Sequence, residues 1–349
     1  MSKFLITSRS ICSLKFIQRC YSVKEVASAI DLELFGTVYR TDKMTNIGSS
    51  IISKLSKKLH LQKNHPLEKV KSKIVDHFHG NYRSRHGGCI FASIDNLNPI
   101  VSVDQNFDGL LVPKDHVSRS KIDNYYINTD YVLRSHTTAH ERDLIKSGWN
   151  AFLNTVMFQI IRENLTKDDS LRLIEKNPTK RTFEKQELIT LDATKFLEFN
   201  LKYTLSKLVE HLFGQDVEMR WVDAYFPFTH PSWELEVKFN DEWIEMLGCG
   251  ILEQKILQSS GAPDKVGWAF GLGLERFAMR LYDIPDIRLF WSEDERFLGQ
   301  FRSSNDQKFK PFSKYPPSYK DISFWANSDF SANDLFEIVR GVSGDVIEE

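Results

Sequence analysis

The chain has 349 residues, 41% of them apolar and 12% aromatic, which suffices for one large or two moderate domains and excludes disorder over most of its length. Its 46 Lys and Arg stand against 47 Asp and Glu for a formal charge of −1, so any polyanion has to be met by local patches rather than by a global positive field. No run of 18 apolar residues offers a membrane span, and Cys12, Cys20, Cys89 and Cys249 lack C-x-x-C spacing, which argues against a disulfide framework or a cysteine zinc site and for a reducing compartment.

Residues 1–21 read as a transit peptide directed to the mitochondrial matrix. Lys3, Arg9, Lys15 and Arg19 precede the first acidic residue, Glu25, and are interspersed with Ser2, Ser8, Ser10 and Ser13. Phe4, Leu5, Ile11, Leu14, Phe16 and Ile17 can form an apolar helical face opposite these cations. Arg19-Cys20-Tyr21-Ser22 has the arginine spacing of a matrix-protease site, with a mature start at Ser22.

From Thr45 to His79 two helices are expected, with Ile47, Ile51, Ile52, Leu55 and Leu59 on one and Leu67, Val70, Ile74, Val75 and Phe78 on the other, broken at Asn64-His65-Pro66. Lys54, Lys57, Lys58, Lys63, Lys69, Lys71 and Lys73 crowd their polar faces. Such a row can hold a phosphate backbone, although a solvated face is the plainer reading of any one lysine. Short strands are expected at Ile90–Ile94 and Ile100–Val103, and turns from Gln105 to Lys121. Thr190–Phe213 is the longest helix, its broad apolar stripe running from Leu191, Phe196 and Phe199 to Leu212 and ending at Gly214. Between Glu218 and Leu252 the period is two, with Trp233, Leu235, Val237 and Phe239 on one strand face and Glu234, Glu236 and Lys238 on the other, as in an antiparallel sheet. Residues 307–319, with Pro311, Pro316 and Pro317, read as a linker.

The segment from Gly267 to Met279, GWAFGLGLERFAM, joins a short apolar strand through a glycine turn to a helix. Gly271 and Gly273 allow a ring or phosphate close to the backbone, and Arg276 falls in the first helical turn, where free N–H groups already favour an anion. This stretch resembles motif 3 of the class II aminoacyl-tRNA synthetases, and the chain as a whole resembles the phenylalanyl-tRNA synthetases, most closely their single-chain mitochondrial form. Arg134-Ser-His-Thr-Thr-Ala-His140 is similar to the family's substrate-holding loop. Tyr225-Phe-Pro-Phe-Thr-His-Pro231 is similar to its aromatic pocket, Trp243-Ile-Glu-Met-Leu-Gly-Cys-Gly250 to the strand after it, and Ile284–Trp291 to the segment beyond motif 3.

The resemblance implies an α+β fold, a mixed antiparallel sheet flanked by helices over residues 22–306, followed at 320–349 by a truncated ferredoxin-like anticodon-binding domain. It implies a monomer acting away from membranes, with phenylalanine, ATP accompanied by Mg²⁺, and tRNA(Phe) as substrates, no zinc, and an aminoacyl-adenylate intermediate. Arg276 and Glu245 become the catalytic pair. Arg134, His136, Thr137, Thr138, Ala139, His140, Glu141, Phe226, Phe228, Ala269 and Phe270 become phenylalanine contacts, and Gly271 and Gly273 join Arg276 around ATP. If Phe226 and Phe228 lie two apart on a strand, both rings face the same side and can meet a benzyl group edge to face. Pro227 between them marks a strand end or edge, and the small Ala269 sets the depth.

Two departures stand out. The strand-loop-strand of motif 2, which carries an arginine for the α-phosphate, is missing near 154–167, where Val156–Leu165 follows instead and reads as a surface helix turn carrying Arg162 and Glu163. In the loop, Glu141 stands where the family has glutamine, and Val117 where it has proline. The 30 residues from 320 onward, with strands at Ile322–Trp325 and from Asp345 and a helix at Asn333–Val342, are too few for a complete ferredoxin-like unit of roughly 60. A shortened relative that only binds phenylalanine and RNA is therefore the rival expectation.

Overall fold

The computed structural model describes residues 31–83, 86–88, 90–148, 151–153, 156–161, 171–302, 307–312, 320, 322–326, 330 and 332–343. The transit-peptide segment, Cys89, Arg162 and Glu163 lie outside the described residues.

In chain order, a hairpin of β1 (Asp31–Leu34) and β2 (Thr37–Arg40) precedes the short α1 (Ser49–Lys54) and the longer α2 (Pro66–Asn81). The break between the helices falls where the sequence places it: Pro66 opens α2, and the His65 ring accepts the Leu67 N–H at 3.2 Å. Then come β3 (Ala92–Ser93), β4 (Ile100–Ser102), α3 (Val103–Asn106), β5 (Tyr131–Leu133) and α4 (Glu141–Lys146). Next are β6 (Ala151–Leu153), β7 (Val156–Ile161) and the 23-residue α5 (Leu191–Phe213), capped by the Thr190 hydroxyl. The strands β8 (Met219–Phe226), β9 (Thr229–Phe239) and β10 (Glu242–Leu252) lead to α6 (Gln254–Ser259), β11 (Val266–Leu272) and α7 (Leu274–Tyr282). The last helices are α8 (Glu295–Leu298) and α9 (Ala332–Ser343).

Seven strands form one sheet in the order β3-β6-β7-β11-β10-β9-β8, antiparallel except for the β3–β6 pair. One face is dry. Trp233, Leu235 and Val237 of β9 and Trp268, Phe270 and Leu272 of β11 meet Val70, Ile74 and Phe78 of α2, Leu197, Leu201, Leu205 and Leu208 of α5, and Phe277 of α7. Each fully buried side chain of this size adds about 1.5–3 kcal/mol, which makes this layer the main source of stability. The opposite face carries smaller clusters around Ala269, Leu252 and Ile145 and around Phe107, Leu110 and Tyr126, and there the binding loops pack. Gln186 secures the approach to α5: its amide donates to the carbonyls of His230 (2.7 Å) and Leu252 (2.9 Å), and its oxygen accepts the Gln254 N–H at 2.8 Å.

Several expectations need correction. Val156–Ile161 is not a helix turn but strand β7, paired with β11 from Val266↔Ile161 to Gly271↔Val156. A central sheet position overrides the weak local signal, because β11 would otherwise leave its ladder groups unpaired. On α5 only part of the stripe is core. Leu191, Phe196 and Phe199 are exposed, since at 3.6 residues per turn they fall on the side away from Leu197, Leu201, Leu205 and Leu208. Ile322 and Trp325 are exposed and, among the described residues, lie in no strand, whereas the expected helix after them forms as α9; the strand expected from Asp345 lies outside the described residues. The first part of the supposed linker is anchored: the Phe309 N–H donates to Tyr282 O at 2.7 Å, and its ring packs 5.9 Å from that of Phe297.

Candidate active site

A cavity of about 390 Å³ opens on the loop-bearing face of the sheet, walled by the end of β8, the middle of β10, β11 and the loop before α4. Phe226 ends β8, and Pro227-Phe228 is the two-residue turn into β9, closed by the Phe226↔Thr229 pair. The two phenylalanines therefore do not share a strand. The tight turn brings them together instead, with centroids 5.9 Å apart and planes inclined by 14°, so they present a stacked wall rather than two edges. Pro227 does mark the end of an edge strand, since β8 is outermost in the sheet.

Opposite them are Ala269, Gly271 and Gly248. A Cβ on Gly248 would lie 2.6 Å from Phe226 Cζ, so the ring occupies space that only glycine leaves open. Glu245 and Gly248 line the same cavity although three residues apart, because a bulge after Glu245 turns both Met246 and Leu247 into the core. Phe270 borders the cavity, but its ring belongs to the core, stacked on Phe78 at 6.0 Å. Sequence reading missed Gly248, for which a glycine in an otherwise well-packed strand is the available signal.

The Arg134–His140 loop reaches the cavity through Ser135, His136 and Thr138 only. It is fixed from behind by two buried asparagines that sequence reading also missed. Asn106 donates to Ser135 Oγ at 2.9 Å and accepts the Ser135 N–H at 3.0 Å, while Ser135 Oγ donates to Asn124, whose amide donates to the carbonyls of Ser118 (2.7 Å) and Ser120 (2.8 Å). The His136 ring lies 5.6 Å from Phe228, and its Nδ1 is buried without a hydrogen-bond partner. Burial lowers the His136 pKa to about 4, and burial with the charge of Arg134 lowers that of His140 to about 4, so both imidazoles are neutral at physiological pH.

The remaining residues expected at the substrate lie behind or beside this cavity. Ala139 packs in the Phe107–Tyr126 cluster, and His140 is buried with Arg134 Nη1 donating to its Nε2 at 3.0 Å. Arg134 and Thr137 line a second cleft that shares Ser135 and His136 with the first. Glu141 is fully buried, neither carboxylate oxygen has a hydrogen-bond partner, and desolvation raises its pKa to about 8.

Gly273 precedes α7 with no side-chain cap, leaving the first N–H groups of that nine-residue helix open to an anion. A Cβ on Gly273 would make only an ordinary 3.7 Å contact with Arg276 Cβ, so no close approach there requires glycine. Arg276 reaches back over the sheet: its Nη1 donates to the Glu245 carbonyl and lies 3.5 Å from Glu245 Oε1. Glu234 and Glu236 share this face, paired with Gly248 and Glu245 in register, and burial together with the charges of Glu245 and Glu236 raises the pKa of Glu234.

Phe226, Phe228, His136 and Glu245 thus line one cavity, and Arg276 in the first turn of α7 pairs with Glu245. Residues 51–301 match the tRNA synthetases class II core domain (F). The chain belongs to this synthetase family. Mitochondrial phenylalanine–tRNA ligase of Mus musculus is 48% identical over 347 residues, covering 91% of this chain and 76% of that one. The chloroplastic/mitochondrial phenylalanine–tRNA ligase of Arabidopsis thaliana is 47% identical over 315 residues (89% and 72%), and the mitochondrial enzyme of Saccharomyces cerevisiae 33% over 416 (95% and 86%). Within the family core this chain places β7 beside β11, with a short connection from β6 where the resemblance leads one to expect the motif 2 loop.

Proposed function

We propose that this synthetase joins phenylalanine to tRNA(Phe) in mitochondria, within the matrix, acting as a monomer. The phenylalanine carboxylate attacks the α-phosphorus of ATP and pyrophosphate leaves; the terminal ribose hydroxyl of the tRNA then attacks the carbonyl carbon, AMP leaves, and the hydroxyl proton passes to solvent. The observation that carries this reading is the slot between the stacked Phe226–Phe228 pair and Ala269, with Glu245 and Arg276 at its mouth.

The benzyl group fills the slot, and His136 Nδ1 and the Thr138 hydroxyl serve the zwitterion. Arg276 exchanges Glu245 for the triphosphate, aided by the α7 N-terminus, and the freed Glu245 faces the substrate amine. Little covalent work falls to the protein, so positioning and charge neutralisation carry the rate. Mg²⁺ accompanying ATP would be held by the triphosphate with a carboxylate such as that of Glu234 and would neutralise phosphate charge there. We read α9 as belonging to the anticodon-reading part of the chain, a reading supported by the expected helix at this point.

The test is phenylalanine-dependent exchange of pyrophosphate into ATP. Exchange by the wild type, with KM for phenylalanine raised about 30- to 100-fold in Phe226→Ala/Phe228→Ala, is expected from losing two aromatic contacts of about 0.5–1.5 kcal/mol each together with their buried area. An unchanged KM in the double variant refutes the slot assignment.

A further inference from the structure

Ser135 lines the phenylalanine slot, yet its only hydroxyl proton goes to the Asn124 side chain and none is left for a substrate carboxylate. Building on the proposed function, in which His136 serves the zwitterion, we propose that Ser135 is a positioning residue: clamped between Asn106 and Asn124, it fixes the adjoining His136 against phenylalanine without itself contacting the substrate.

The direction of every hydrogen bond in this clamp follows from its far end. The Asn124 side chain meets two backbone carbonyls, those of Ser118 at 2.7 Å and Ser120 at 2.8 Å, so the atom facing them has to be the amide nitrogen. Its oxygen therefore faces Ser135, whose hydroxyl donates to it. The Asn106 atom 2.9 Å from Ser135 Oγ must then be the other amide nitrogen, which leaves Asn106 Oδ1 to accept the Ser135 N–H at 3.0 Å. Asn106 and Asn124 are buried, where such bonds are electrostatically strong and leaving one unmade is costly.

Both posts of the clamp are rigid. Asn106 ends α3, whose start is locked by a capping box: Ser102 Oγ accepts the Gln105 N–H at 3.0 Å, and Gln105 Oε1 accepts the Ser102 N–H at 2.9 Å. The Asn124 carbonyl accepts from the Asn46 amide at 2.8 Å. The clamp also joins three walls of the slot, because Phe107 follows Asn106, Ser118 is held through its carbonyl by Asn124, and His136 follows Ser135. Cutting it at Ser135 frees the loop that carries His136 from both posts on its side-chain side, while Asn106 still accepts the Ser135 N–H.

The test is a double-mutant cycle of Ser135→Ala and His136→Ala in the full chain, with Asn106→Ala as a second break in the clamp. Calorimetry reads the phenylalanine Kd, pyrophosphate exchange reads the KM values for phenylalanine and ATP, and thermal melts check folding. Ser135→Ala is expected to raise the phenylalanine Kd about fivefold, the worth of one hydrogen bond, and to leave the KM for ATP within about twofold. In the His136→Ala background the same change should add less than about twofold, since its effect passes through that imidazole. Asn106→Ala should weaken phenylalanine at least as much, and adding Ser135→Ala to it should cost little more. An unchanged phenylalanine Kd in Ser135→Ala, even with a lower Tm, overturns the proposal, because the clamp would then serve the fold alone. Multiplying effects of Ser135→Ala and His136→Ala overturn it too, since Ser135 would then act on the substrate by itself, as does a KM for ATP that rises in step. A wild type that binds phenylalanine without exchanging pyrophosphate defeats the catalytic reading and leaves the clamp to be judged on Kd; one that binds no phenylalanine defeats both.

Discussion

At the scale of single residues, the phenylalanine slot depends on an absent side chain as much as on those present. Phe226 lies where a Cβ on Gly248 would intrude, at 2.6 Å from its Cζ. Gly248→Ala is therefore expected to push the ring into the slot and raise KM for phenylalanine about tenfold, the equivalent of about 1.4 kcal/mol, while Tm changes little because the ring's far end can yield. An unchanged KM in the exchange assay would show that the ring has room elsewhere.

Glu141 gives a second residue-scale expectation. Its carboxyl goes from an ordinary 4.5 to about 8 on burial, so the unfolded chain releases the proton first. Below pH 4.5 both states are protonated and no penalty exists; between 4.5 and about 8 stability falls as pH rises, and above 8 the penalty is constant. Glu141→Gln should remove that slope and stabilise the protein by about 2–3 kcal/mol at pH 7. Thermal melts of both proteins from pH 5 to 8 measure this; parallel Tm profiles would contradict the assigned protonation.

At the scale of elements, α2 and α5 meet through two histidines, the rings of His77 and His211 lying 4.8 Å apart. Burial and the neighbouring His211 lower the His77 pKa to about 4. A lowered imidazole contributes stability that is complete above the unfolded value of about 6.5 and is lost as pH falls toward 4, opposite in sign to Glu141. His77→Phe should accordingly lose less Tm than the wild type between pH 6.5 and 4.5, and an identical loss would place the acid sensitivity elsewhere. At the start of α5, Thr190→Ala removes the acceptor for the Ala193 N–H and is expected to cost about 1 kcal/mol in denaturant melts without altering substrate KM.

Elements were legible in the sequence where period and punctuation agree. His65-Pro66 opens α2, Thr190 and Gly214 bracket α5, and the period of two through Trp233 to Phe239 gives a strand with one buried face. The Val156–Ile161 strand was not legible, because a short apolar run has no decisive period and its pairing with β11 is a long-range fact. Nor could a strict alternation place Glu245 and Gly248 on one wall, since the bulge after Glu245 resets the pleat.

At the scale of the molecule, one sheet divides the labour. Helices α2, α5 and α7 bury one face, and the other holds the slot and the cleft side by side. The segment beyond the core is tied on rather than loose, through Phe309 against Phe297 and Tyr282. Phe309→Ala should lower stability by about 1–2 kcal/mol for a partly buried ring and speed tryptic cutting at Lys308 and Lys310. Unaltered proteolysis would mean that the tie contributes nothing.

The sequence by itself determined the family, the motif 3 strand and helix, the aromatic pair and Arg276, because these are contiguous motifs in which residue type and local spacing already encode the chemistry. Only the tertiary structure decided that the phenylalanines stack across a turn, that Gly248 makes room for one of them and that Glu245 holds Arg276. It also decided that Lys54, Lys58 and Arg134 line one cleft. Those facts depend on strands and loops far apart in the chain meeting at one register, and a contact between distant segments leaves no period in the local sequence from which it could be read.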